Sequence, residues 1–299
     1  MEAVQAADAA GAPSWTAFRD SGPLAAAPDA GPLRARAAED GYLLLRGLLP
    51  AGPVLAVREA ILGLCAGAGW CDAGGRVPPG APGPFIEGQP EYMALYDAIQ
   101  RLEPFHRLAL HPRLTALYAA LFGEAVLAHP RNIARVMFPN NNPHATPAHQ
   151  DALHIRGTPE TWTAWIPLGD CPADLGGLAV MVGSNRLPLL DTRPALGAGG
   201  RAVDAEALGD AWVAGDMAAG DVLTFHSHTV HRALPNRTAD RMRLSADFRY
   251  QPASHPVAPD SLLPHFARLT WEEIYAGWRD PSGRYHWREV LAAARGGGG

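Results

Sequence analysis

The second half of the chain most constrains what it can fold into. From residue 125 onward, short apolar stretches alternate with clusters of Asn, Gly, Pro and Asp: AVLAHP, NIARVMF, TWTAWIPL, LAVMV, VLTFHSH and RLSADFRY. Short runs rich in β-branched and aromatic residues and bounded by turn formers are strands. Six of them in succession point to a barrel or sandwich rather than a helical bundle. Residues 190–220, rich in Gly and Ala, read as a long insertion loop between two of these strands.

The first half is different. Residues 1–32 are rich in Ala, Gly, Pro and Asp with little periodicity, and read as a flexible extension with room for a short helix at 15–18. A helix is expected over 33–39 and an apolar strand over 41–46 (GYLLLR). Val54, Val57, Ile61, Leu62 and Cys65 recur at helical spacing, with Pro53 suited to the first turn. Residues 66–88 are dense in Gly and Pro and form a long loop, a common place for a lid. Helices follow over 92–100 and 112–122, the second stopped by Gly123. Near the end, Thr270 and Glu273 have capping-box spacing within a partly helical stretch, and residues 291–299 read as a flexible tail. The 299 residues therefore predict one domain over 33–290.

Composition excludes several classes of function. The net charge is −5 and most basic residues are scattered, which argues against nucleic-acid binding. No apolar run reaches the roughly 18 residues of a membrane span, and the N-terminus lacks the basic-then-apolar order of a signal peptide, so a cytoplasmic location is expected. Cys65, Cys71 and Cys171 are odd in number and form no CxxC pair, which speaks against a disulfide framework or a structural zinc site.

The chemistry centres on Pro147-Ala148-His149-Gln150-Asp151. On an extended segment, His149 and Asp151 would point to the same side, bringing an imidazole and a carboxylate to one ion. The stretch DVLTFHSHTVH offers a third ligand from His226, His228 or His231. Strand alternation alone does not choose among them. Two histidines and one carboxylate on one face of an octahedron leave three positions open, as in non-haem iron(II) oxygenases. Those positions suit two oxygens of an α-keto acid and one O₂. Arg243 and Ser245 share a face of the following strand, where a guanidinium can bind the distal carboxylate of 2-oxoglutarate. Thr163 and Trp165 share a face of TWTAWIPL and are candidates for the cavity wall, Thr163 against the co-substrate. Gln150, His154 and Trp165 are candidates for the substrate pocket, and His144 also flanks the motif.

The chain resembles the phytanoyl-CoA dioxygenase family. The likeness rests on His149-Gln150-Asp151, Gly176-Gly177-Leu178, Gly183-Ser184, Gly220-Asp221-Val222, His231, Asn236 and residues 243–250, with GYLLLRGLLP near residue 41. It covers residues 35–280 and implies a mainly β fold with flanking helices, a double-stranded β-helix or cupin-like jelly roll. It also implies dependence on Fe(II), 2-oxoglutarate and O₂. On this match His149, Asp151 and His231 are the iron ligands, with His228 the alternative, and Arg243 anchors the co-substrate. His226 and His228 then become strand positions or hydrogen-bond donors beside the site. Related halogenases carry Gly or Ala at the carboxylate position, so Asp151 implies oxygenation instead. The family usually has His after Gly-Ser where this chain has Asn185, a change expected to affect local hydrogen bonding. The expected activity is hydroxylation, desaturation or ring formation on a small organic molecule, as in bacterial natural-product pathways. The alternatives are a cupin-like protein that holds metal without turnover and a zinc hydrolase, in which Arg243 would have no task. A Ser-His-Asp enzyme is not supported, since Gly183-Ser184 lacks the G-x-S-x-G elbow.

Overall fold

A computed structural model describes residues 15–296. Among these, the strands in chain order are β1 (Thr16–Ala17), β2 (Tyr42–Leu45), β3 (Val126–Ala128), β4 (Ile133–Met137), β5 (Trp162–Pro167), β6 (Leu178–Met181), β7 (Arg193–Pro194), β8 (Arg201–Ala202), β9 (Trp212–Ala214), β10 (Val222–His226), β11 (His231–Ala233) and β12 (Arg243–Pro252). The larger sheet runs β2-β10-β5-β12-β3, with β4 also paired to β12. The smaller sheet runs β1-β9-β6-β11, and β7 and β8 form a separate ribbon. Leu44, Trp165, Leu223 and Phe225 of the larger sheet pack against Leu178, Val180, Val213 and Ala233 of the smaller one. The two sheets therefore face each other across one apolar layer, the jelly-roll arrangement.

The larger sheet is buried on both sides, and strand parity sorts its residues. On β12, Leu244, Ala246, Phe248 and Tyr250 join the core shared with the helices. Phe248 meets Phe105 at 5.6 Å between ring centroids, and Tyr250 stacks on Tyr118 at 4.0 Å. These partners come from the helices Glu103–Ala109 and Pro112–Phe122. The alternate residues of β12 are Arg243, Ser245, Asp247 and Arg249, and they face the space between the sheets. The same rule holds on β5, where Trp162, Ala164 and Ile166 pack toward the helices while Thr163 and Trp165 line the interior.

The helices follow the apolar spacing read from the sequence. Ala51–Gly67 buries Val54, Val57, Ile61, Leu62 and Cys65 on one stripe. Gly31–Asp40 ends at Gly41, whose φ of 75° is the left-handed conformation that suits glycine. A side chain could not fit there in any case, because a Cβ would lie 2.5 Å from Asn185 Oδ1. Thr270 and Glu273 form the expected capping box on Trp271–Tyr275.

Three expectations are corrected, and one helix is added. Residues 16–17 form a strand, not a helix, and pair in parallel with β9. The extension is therefore packed onto the smaller sheet at residues 16–17 and onto β2 of the larger sheet at residues 20–21, and residues 1–14 lie outside those described. A two-residue strand has no periodicity to read, because its conformation is set by its partner. Within 190–220, β9 forms an interior strand of the smaller sheet, and only the remainder is loop or ribbon. The helix Glu103–Ala109, which no expectation covered, fills the gap between its two neighbours. The helix His286–Gly296 occupies much of the proposed tail, with Trp287 buried, and residues 297–299 are outside those described.

Phe248 joins the helical layer to the sheet and is fully buried. Phe248→Ala is expected to lower unfolding free energy by about 3–5 kcal/mol, the usual range for an aromatic cavity. Urea denaturation followed by circular dichroism checks this, the expected result being a lower midpoint at an unchanged slope.

Candidate metal and co-substrate site

His149 and His231 face each other across an isolated antiparallel bridge. Each backbone N–H donates to the other's carbonyl, at 3.0 and 3.1 Å. That pairing projects both imidazoles to one side, and their ring centroids lie 4.2 Å apart. Asp151 arrives differently from the extended geometry expected. Its φ and ψ of −63° and −27° are helical, and it begins the short helix Ala152–Ile155. The chain turns out of the bridge immediately after His149, and this turn swings the carboxylate back to within 3.6 Å of His149 Nε2. One ligand atom from each of His149, Asp151 and His231 lies within 4.8 Å of the others, and all three residues are buried.

Neighbouring groups set the direction of each donor. His149 Nδ1 sits 2.8 Å from the Pro147 carbonyl, and His231 Nδ1 sits 3.0 Å from the Thr229 carbonyl. A carbonyl only accepts, so each Nδ1 carries the proton and each Nε2 lone pair is free for a cation. Phe225 packs on the His231 ring at 4.2 Å. Thr163 donates to Asp151 Oδ2 at 2.5 Å, and Arg249 reaches Oδ1 at 3.3 Å. Burial alone would raise the pKa of Asp151, but Arg249 and the two histidines overcome this and hold it well below the usual carboxylate range. Burial and the neighbouring His149 push His231 down to about 3. Asp151 is thus held as an ionised carboxylate and His231 as a neutral imidazole, the protonation states a divalent metal requires. Two imidazole nitrogens and one carboxylate oxygen suit Fe(II).

Arg243 lies on β12 beside this cluster and is 3% exposed. Its Nη1 donates to Ser245 Oγ at 2.6 Å, Nη2 approaches Met137 Sδ at 3.5 Å, and the guanidinium lies 5.7 Å from the centroid of the Trp165 ring. Nε has no hydrogen-bond partner, and no carboxylate among the described residues pairs with this guanidinium. Burial lowers its pKa, as expected for a cation without a counter-ion. A buried, unpaired positive charge is unfavourable unless an anion joins it. The distal carboxylate of 2-oxoglutarate is an anion of suitable size and charge.

A cavity of about 30 Å³ is lined by the three donors with Thr163, Trp165 and Arg243. It adjoins a larger cavity of about 360 Å³, and Arg135, Thr146 and Arg243 border both. The loops expected at 66–88 and 190–220 supply Phe85, Ile86 and Glu87 on one side and Leu196 and Gly197 on the other.

The remaining expected residues divide. Thr163 and Trp165 reach the cavity wall, and His144 borders the larger cavity. Thr163 holds the Asp151 carboxylate, a role the sequence reading did not assign. Gln150 lines neither cavity. Its Nε2 donates to the carbonyls of Pro188 and His228, and its Oε1 accepts from Leu190 N–H. His154 is exposed on the short helix beside His149, at 6.1 Å between rings, and also lines neither cavity. His228 lies in a turn with Nδ1 at the Leu187 carbonyl, and His226 packs on Trp162, so neither joins the cluster. Asn185 donates to the Ala38 carbonyl, a local tie of the kind expected. Sequence reasoning missed Arg249, Arg135 and Asp247. The parity of RLSADFRY, which places Arg249 and Asp247 on the face of Arg243, could have revealed two of them.

The model of the phytanoyl-CoA dioxygenase family matches residues 37–245. The 1-deoxypentalenic acid 11-beta-hydroxylases of Streptomyces arenae and Streptomyces exfoliatus are 29% and 30% identical over 245 and 240 residues, in each case 76% of this chain and 82% of the relative. Among solved structures, the epimerase SnoN bound to Fe3+, alpha-ketoglutarate and nogalamycin RO superposes with a TM-score of 0.57 at 27% identity, covering 77% of this chain and 86% of its own. The carbocyclase SnoK, at 22% identity and a TM-score of 0.52 over 80% of this chain and 90% of its own, shares the fold. The fold and donor set define an iron- and 2-oxoglutarate-dependent oxygenase. The chain belongs to the phytanoyl-CoA dioxygenase family. No helix among the described residues is long and apolar enough to cross a membrane.

Thr163→Val keeps the shape of the side chain and removes the hydroxyl that orients Asp151. Divalent-metal affinity is expected to fall about 10–100-fold, the usual cost of losing a group that positions a ligand. Calorimetric titration with Ni(II) checks this without redox chemistry.

Proposed function

We propose that His149, Asp151 and His231 hold Fe(II), that Arg243 and Ser245 hold the distal carboxylate of 2-oxoglutarate, and that the enzyme hydroxylates a small, largely apolar molecule seated in the larger cavity. The observation that carries this reading is Arg243, a buried guanidinium without a carboxylate partner beside three convergent metal donors. A hydrolytic zinc site would leave that charge without a purpose. The hydroxylase relatives support the reaction class. A cytoplasmic location fits the three free buried cysteines.

Iron with bound 2-oxoglutarate and O₂ supplies an oxidant able to attack an unactivated C–H bond. The chain's own residues provide placement. The backbone bridge fixes the two imidazoles relative to each other, and Thr163 and Arg249 fix the carboxylate. Arg243 orients the co-substrate by an ion pair in a dry site, where such a pair is strong. Trp165 and Phe225 wall the site, and Phe85, Ile86 and Leu196 from the 66–88 and 190–220 loops supply apolar wall to the larger cavity. Burial of His149, Asp151, His231 and Arg243 would shield a bound metal and co-substrate from solvent.

The test is anaerobic reconstitution with Fe(II) and 2-oxoglutarate. A weak charge-transfer band in the visible spectrum is expected in the wild type, absent in His231→Ala. In Arg243→Gln the band should require roughly 100-fold more 2-oxoglutarate, the scale for truncating one partner of a buried charge pair. A metal-loaded wild type without the band would sink the reading.

A further inference from the structure

The larger cavity has walls of mixed character, with Phe85, Ile86, Tyr92 and Leu196 beside Glu87 and Arg135. Arg135 borders both cavities, and on its own it would read as an anchor for an acidic substrate. Its donors are already engaged. Nε donates to Asp247 Oδ2 at 3.1 Å, and Nη1 donates to Glu87 Oε2 at 2.8 Å. One guanidinium is thus shared by two carboxylates, and the trio carries a net negative charge. Burial disfavours the charge on Arg135, but the two carboxylates overcome this and hold its pKa above the ordinary value. A third carboxylate brought to Arg135 would meet a cation already neutralised and two like charges, while Arg243, the other guanidinium on this cavity, is taken by 2-oxoglutarate in the proposed reading.

Glu87 differs from Asp247 in its position. Asp247 borders the small cavity on β12, whereas Glu87 borders only the larger one and projects from the 66–88 loop. Its Oε2 is occupied by Arg135, and its Oε1 has no hydrogen-bond partner among the described residues. A carboxylate oxygen without a partner on the wall of a cavity is an acceptor available to a donor.

We propose that Glu87 is a specificity-determining residue, accepting a hydrogen bond from an ammonium or hydroxyl group of the substrate, and that the Glu87–Arg135–Asp247 trio rejects a carboxylate at that position. This rests on the proposed oxygenase reading and deepens it. The substrate is then an apolar skeleton bearing a hydrogen-bond donor, unlike the acid for which the hydroxylase relatives are named.

The experiment uses the full chain loaded with Ni(II) and 2-oxoglutarate, titrated calorimetrically with three probes sharing one compact cage: 1-adamantanemethylamine, 1-adamantanemethanol and 1-adamantanecarboxylate. The amine and alcohol are expected to bind, with the carboxylate weaker than the amine by roughly tenfold or more. Glu87→Gln removes the charge and keeps an acceptor of the same shape. It should reduce the preference for amine over carboxylate by roughly tenfold while changing alcohol affinity only a few-fold. Carboxylate binding as tight as the amine, no amine binding at millimolar concentration, or a preference unaltered by Glu87→Gln would overturn the proposal. Binding of 2-oxoglutarate, measured as a separate titration in the same samples, reports on the oxygenase reading independently. Its absence is a failure of that reading and not of the assignment of Glu87.

Discussion

The alternation of one strand governs the relation between scaffold and chemistry. β12 has both faces buried, and its two faces have opposite character. Leu244, Ala246, Phe248 and Tyr250 are locked among the helices, so the register of the strand cannot shift without exposing them. That register fixes where Arg243, Ser245, Asp247 and Arg249 enter the interior. Three of these four carry charge, and a one-residue slip would put all three into an apolar layer. The helices that cover the outer face of the sheet therefore help fix where the interior groups of β12 stand.

The interior arrangement is an electrostatic one with unequal completion. Asp151 is matched by Arg249, and Arg135 is matched twice over, by Glu87 and Asp247. Arg243 alone among these charges has a hydroxyl and a sulfur but no carboxylate. In a low-dielectric interior such differences decide what can bind where. The protein completes the other charges with its own side chains and leaves Arg243 without a carboxylate, the feature on which the proposed co-substrate anchor rests. The reciprocal bridge between His149 and His231 has a comparable role for geometry. It uses backbone hydrogen bonds to fix two side chains far apart in sequence, which leaves their Nε2 atoms free.

Much of this was legible in the sequence, and the limits have physical causes. The strands of the larger sheet and the helices over 51–67, 90–100 and 112–122 follow directly from apolar periodicity, because each buries a continuous face. β1 and β9 escaped because strands of two and three residues hold their shape through pairing rather than through pattern. The spacing of His149 and Asp151 gave the correct convergence for the wrong local reason. Proximity came from a turn out of a bridge, and side-chain alternation played no part. Gln150 was misplaced for the same cause, since a residue between two ligands points away from them on any backbone but finds its partners only in three dimensions. The choice of His231 over His228 needed the turn at residues 227–228, which breaks the parity on which the sequence argument relied.

Gln150 has a consequence for how such an enzyme can change over evolutionary time. Its single amide sits between two metal donors and ties the backbone at Pro188 and Leu190, where the 190–220 segment begins, to the carbonyl of His228 in the turn before β11. The segment is rooted at the metal centre but touches the larger cavity farther on, at residues 195–198. Past this root the segment is tied back once more, by Val203 N–H donating to the Ala148 carbonyl beside His149, so substitutions at 195–198 can reshape the cavity between two fixed points. A fold with this division can diversify its substrates without rebuilding its metal site.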